Sequence, residues 1–139
     1  MTDDNESSIN LENAYALETP QDNRALYRNW ASTYDADFAQ RNKYVYPKSI
    51  ATICARLVDT ISPLNILDIG CGTGIVGTCL SELLTAGIID GVDISPEMLN
   101  VASTKLRIDA KPVYHQLFEA DLTEPISFAN AKYEVAISA

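Results

Sequence analysis

Cysteine is scarce and unpaired in this sequence: Cys54, Cys71 and Cys79 are an odd number, and no two stand in a CxxC spacing. That suggests neither a disulfide framework nor a zinc site, so no metal is expected. No apolar run approaches the ~20 residues needed to cross a bilayer. The start, Met1 to Asn10, is polar and acidic where a signal peptide is basic and then apolar. A cytoplasmic chain with reduced thiols and no membrane partner is expected. Lysine and arginine are absent before Pro20, while Asp3, Asp4, Glu6, Glu12 and Glu18 all fall there, just over half of the formal net charge of −9. A balance of that sign repels phosphate backbones, which disfavours a nucleic acid partner. Histidine occurs once, at His115 in a predicted strand, so no imidazole chemistry is assigned.

What is present suffices for one core. The 139 residues are 47% hydrophobic and 21% charged, the balance of an ordinary globular domain. Residues 1–18 lack a sustained period and are expected to be a flexible acidic arm. Residues 19–62 are expected to form accessory helices. The first opens at Thr19-Pro20-Gln21-Asp22, a capping hydroxyl, a first-turn proline and a carboxylate three residues on, followed by Leu26, Tyr27, Trp30, Ala31 and Tyr34 at helical spacing. The second starts at Pro47, with Ile50, Ile53, Cys54, Leu57, Val58 and Ile61 as one apolar stripe before Ser62-Pro63.

From residue 63 to 139 the pattern changes to short apolar runs alternating with helical stretches, the signature of βα units and a parallel sheet. Strands are predicted from Asn65 to Ile69, Ile88 to Val92, Val113 to Phe118 and Tyr133 to Ser138. The helix from Gly74 to Leu84 ends at Gly87, and the next is capped by Ser95 with Met98, Leu99, Ala102 and Leu106 inward.

Leu67-Asp68-Ile69-Gly70-Cys71-Gly72-Thr73-Gly74 falls where a strand turns into a helix. Glycines there permit positive φ and close approach of the backbone to a ligand, and the helix that follows offers unpaired amides. Asp93 ends the second strand about 20 residues further on, where an acid can accept from ribose hydroxyls. Together they describe an adenosine site at the carboxyl edge of the sheet. A dinucleotide fingerprint would want glycine or alanine at Ile75 and gives no role to Asp68. Each residue has a plainer reading: Asp68 as a turn cap, Asp93 as a helix-entry acid, Asp121 as part of a polar turn. Cys71 has no base beside it, and a small residue between glycines meets the steric need of the turn.

The set resembles the class I S-adenosylmethionine-dependent methyltransferases, whose first motif is an acid, any residue, then Gly-x-Gly-x-Gly; Asp68, Gly70, Gly72 and Gly74 match it. The resemblance implies Asp93 on the ribose, Ile94 and Met98 against adenine, Asp121 on the adenine amino group and the Leu122 amide at the ring. It implies Cys71 within the cofactor loop and Ser138 at a strand tip bordering the methyl donor. Tyr27 to Asp35 resembles the Trp-Ala-x-x-Tyr-Asp helix ahead of the core in small-molecule methyltransferases, including the Williams-Beuren-region type, which would bring Tyr34 to the methionine end. The alternative for Trp30 and Tyr34 is the buried stripe of a helix. Tyr44 and Tyr46 stay unassigned.

The implied fold is a Rossmann-like three-layer α/β sandwich with strand order 3-2-1-4, truncated before the last strands of the family fold. The expected function is methyl transfer from S-adenosylmethionine to a small-molecule acceptor, this chain being mainly the cofactor-binding half. The alternatives are a non-catalytic S-adenosylmethionine-binding module and an NAD-linked oxidoreductase fragment. An unpaired fourth strand carrying Val135 and Ile137 would favour a homodimer through the sheet edge.

Overall fold

A computed structural model describes residues 18–36, 45–58, 64–84, 87–126, 128 and 133–139. Most of the acidic arm, Tyr44, Ile61 and the Ser62-Pro63 break lie outside them. Among the described residues the sheet has four parallel strands in the order β3-β2-β1-β4: β1 (Leu64–Ile69), β2 (Gly87–Asp93), β3 (Gln116–Glu119) and β4 (Val135–Ser138). The order matches the expectation, and it makes the chain a Rossmann-like α/β fold. Register levels the carboxyl ends: Ile69 lies beside Val92 and Ser138, and Asp93 beside Glu119.

The first helix, α1 (Pro20–Trp30), starts where the local signals put it. The Thr19 hydroxyl accepts from the Asp22 amide at 3.1 Å, and Asp22 Oδ2 accepts from the Thr19 amide at 3.1 Å, a reciprocal capping box. Residues 34–36 form a further helical turn. The second helix, α2 (Tyr46–Leu57), buries Pro47, Ala51 and Cys54. Ile53 and Leu57, expected inward, are 54% and 80% exposed. The small Ala51 and Cys54 face the core, packed with α3 (Ile75–Leu83), and Val58 packs against it, while Ile53 and Leu57 turn outward.

After β2, α4 (Pro96–Ala102) is capped by Ser95, whose hydroxyl accepts from the Met98 amide at 3.2 Å. Met98, Leu99 and Ala102 are buried as expected. Leu106 is not, because the helix ends at Ala102 and Leu106 bridges Pro112 in the following loop. β3 also begins later than its apolar run predicts. The Val113 amide bonds the Lys105 carbonyl and the His115 amide the Ile89 carbonyl, so Val113 and Tyr114 dive into the core before the ladder starts. His115 lies ahead of the strand, with an exposed ring 3.5 Å from Asp90. Likewise Tyr133 and Glu134 precede β4: the Tyr133 hydroxyl donates to Asp90 at 2.8 Å, and Glu134 accepts from the Asn65 amide at 2.7 Å.

The core joins Ile66, Leu80, Ile89, Leu99, Val113 and Tyr114 between sheet and helices. Among the described residues no helix is long and apolar enough to cross a membrane.

Candidate functional site

β1 delivers the chain into the glycine loop at the carboxyl edge of the sheet. Gly70, Gly72 and Gly74 have φ of 66°, 54° and 90°, left-handed values that side chains resist, so the loop curls back before α3. Two bonds fix the curl. The Cys71 amide donates to the Val92 carbonyl at 3.0 Å, and the Gly72 amide donates to Asp93 Oδ2 at 2.9 Å. The other Asp93 oxygen accepts from the Ser95 amide at 2.9 Å. Burial raises the Asp93 carboxyl above its usual range, while these amides pull it down. One carboxylate thus joins the loop after β1 to the turn after β2, two elements the sequence places 21 residues apart.

Beside this junction lies a cavity of about 330 Å³. A volume of that order suits a small organic ligand. Gly70, Gly72, Asp93, Ile94, Met98, Asp121 and Leu122 line it, together with Tyr34 from the N-terminal segment. Eight of the twelve residues singled out from sequence therefore share one cavity. Asp68, Cys71, Gly74 and Ser138 do not line it. Asp68 is buried beneath the loop, its Oδ2 accepting from the Tyr114 hydroxyl at 2.7 Å. Cys71 is buried, and burial with the charges of Asp68 and Asp93 pushes its thiol far up, which leaves it unreactive. Gly74 caps α3 against Tyr114 and Ala102. Ser138 ends β4 beside Ile69, and the next residue, Ala139, reaches the lining.

Asp121 combines its two readings. Its Oδ1 accepts from the Thr123 amide at 2.9 Å and from the Thr123 hydroxyl at 2.6 Å, an ordinary polar turn, yet the residue also borders the cavity. Those bonds lower its carboxyl pKa.

Sequence reasoning did not assign Asn23 and Tyr27 to the site, although helical spacing sets both on one face of α1. The Trp30 ring stacks on Tyr27 with centroids 6.1 Å apart and meets Tyr34 edge-on at 4.7 Å, which holds the aromatic segment over the cavity. Three ion pairs fasten it: Arg24 with Glu119 at 2.9 Å, Arg28 with Glu97 at 3.2 Å, and Asp35 with Lys105. Asp35 also accepts from the Thr73 hydroxyl, inside the glycine loop. No local signal marks these pairings, since the partners lie far apart in the chain. Among the described residues no cluster of acids, histidines and cysteines could hold a metal.

Known proteins share this architecture. The TehB-like SAM-dependent methyltransferase from Corynebacterium glutamicum superposes with a TM-score of 0.58 at 23% identity, over 83% of this chain and 55% of that one. DesVI of Streptomyces venezuelae gives 0.57 at 23% identity, over 78% and 42%. The magnesium protoporphyrin IX methyltransferase of Synechocystis, solved with bound SAH, gives 0.56 at 20% identity, over 83% and 57%. The chain spans about half the length of these proteins. A comparison with curated proteins returns no match. The model of the family described as methyltransferase domain matches residues 66–139, just over half of the chain, and the chain belongs to that family.

Proposed function

We propose that this chain binds S-adenosylmethionine in the cavity beside the glycine loop and serves methyl transfer to a small-molecule acceptor. The carrying observation is the Asp93 carboxylate, fixed by the Gly72 and Ser95 amides at the cavity wall. Each of its oxygens holds one amide and keeps lone-pair capacity for a ribose hydroxyl. Ile94, Met98 and Leu122 offer apolar surface to a purine, with Asp121 to accept from an exocyclic amino group. Tyr34, also on the lining, would meet the methionine portion, and Ser138 stands one residue from the lining.

When bound, the ligand supplies an electrophilic sulfonium methyl. The chain's own residues contribute binding and orientation, the effects that dominate when no covalent enzyme intermediate is formed. Acids at Asp93 and Asp121, with Asp68 beneath the loop, suit a cationic donor.

Calorimetry with S-adenosylhomocysteine and, separately, NADH tests the reading. Heat is expected with the first and none with the second; the reverse would reject the proposal. Asp93→Ala should weaken S-adenosylhomocysteine at least about tenfold, the loss expected for hydrogen bonds to a charged acceptor. Binding without turnover across a panel of small acceptors would leave a binding module.

The expected homodimer through the outer edge of β4 belongs to the same reading. A monomeric mass by light scattering at high concentration would argue against it.

A further inference from the structure

Tyr114 is buried beside the glycine loop, at 5% exposure, and the backbone around it is built of glycine. A Cβ at Gly74 would lie 2.8 Å from its ring, one at Gly91 would lie 2.9 Å from it, and one at Gly77 would collide with its hydroxyl. Three glycines from α3, β2 and the loop thus vacate the slot that the ring fills. Its hydroxyl reaches through that slot to Asp68, in the strand that feeds the loop.

We propose that Tyr114 is a positioning residue: its hydroxyl holds Asp68 as a carboxylate beneath the loop and so sets the lowest pH at which the cavity keeps its ligand. The inference rests on the S-adenosyl reading above. A carboxylate taken out of water favours its neutral form, and a donor aimed at it favours the charged form. Burial pushes Asp68 up to about 6, with the charge of Asp93 acting in the same direction and the Tyr114 bond against it. The titratable groups that face Asp68 are Tyr114, Cys71 and Asp93. Burial drives the Tyr114 and Cys71 protons far above neutrality, so neither ionises there. Asp93 is raised too, by its burial, with the Ser95 and Gly72 amides acting against that rise. Asp68, at about 6, gains and loses its proton close to neutral pH. That loss or gain changes the charge two residues ahead of Gly70, on the chain that leads into the cavity wall.

Tyr114→Phe keeps the ring in its slot and removes only the donor. Affinity for S-adenosylhomocysteine, measured by calorimetry from pH 5 to 9, falls on the acid side in the native protein. In Tyr114→Phe that limb moves up by about one pH unit, the equivalent of one hydrogen bond to a charged group. The variant then binds roughly tenfold more weakly within the limb and nearly normally at pH 9. Asp68→Asn has no acid limb from this source, and adding Tyr114→Phe to it changes nothing further. An equal loss at every pH in Tyr114→Phe, or a limb that stays put, would show a merely structural ring and overturn the inference while leaving the ligand assignment intact. If Tyr114→Phe does not fold, retention of the limb in Asp68→Asn overturns it instead. Absence of S-adenosylhomocysteine binding by the native chain at all pH values would remove the ligand assignment and this inference with it.

Discussion

Asp68 is 2% exposed, and a carboxylate removed so far from water is stabilising for the fold only while it carries its proton. Its folded pKa of about 6 lies above its ordinary 3.8, so the stability it contributes is full below 3.8 and is lost as pH rises through 6. Across that window the loss is on the order of 3 kcal/mol. Asn at this position is isosteric, can still accept from the Tyr114 hydroxyl and carries no charge. In the absence of ligand, Asp68→Asn should therefore melt several degrees above the native protein at pH 8, with the gap closing toward pH 4. Thermal melts at the two pH values decide it: equal gaps would mean that Asp68 is not charged at pH 8. The same variant is expected to bind ligand poorly, so stability and binding make opposite demands on one side chain.

Among the helices, α1 depends most on remote partners. Its pairs Arg24–Glu119 and Arg28–Glu97 are exposed, and such pairs contribute about 0–1 kcal/mol each. Asp35 differs, because it accepts from Thr73 in the glycine loop and pairs with the largely covered Lys105. Asp35→Ala would leave both donors without that acceptor and free the aromatic segment from the loop. Trypsin should then cut at Arg24 and Arg28 at least about fivefold faster, as expected when roughly 1 kcal/mol of local closure is lost. Arg28→Ala should leave the rate at Arg24 unchanged; equal acceleration by both variants would place the restraint in general charge rather than in Asp35. The start of α1 was legible because Thr19, Pro20 and Asp22 carry the whole capping signal within one turn. Asp35 was not, since its two partners lie beyond α2 and α4, and charge pairs at such separations leave no period. The stripe on α2 misled in part for a related reason: periodicity gives a face, but only the neighbour decides that Ala51 joins Cys54 inward while Ile53 and Leu57 turn out.

The alternation of apolar runs and helical stretches made the sheet and its order readable, and with them the edge on which the loop and Asp93 meet. It overextended β3 and β4 at their starts, because Tyr114 and Tyr133 look like strand residues and instead send hydroxyls to buried acids in β1 and β2. The Tyr133 bond has a consequence for the sheet as a unit. β4 has four residues and, among the described residues, pairs with β1 alone. The Tyr133 hydroxyl crosses β1 to reach Asp90, whose ladder neighbour in β1 is Leu67, itself paired with Ala136. It thus straps the entry of β4 to the second strand inward. Tyr133→Phe removes the strap but leaves Asp90 the Gln116 amide at 3.0 Å, so β2 and β3 keep their junction. Hydrogen exchange should then speed up about fivefold across Val135–Ser138, the effect of losing roughly 1 kcal/mol of local stability, with little change in β2. Because Ala139 follows directly into the cavity wall, ligand affinity should fall with it, though less than on loss of Asp93. Uniform acceleration through all four strands would mean that the bond holds the sheet together rather than its last strand.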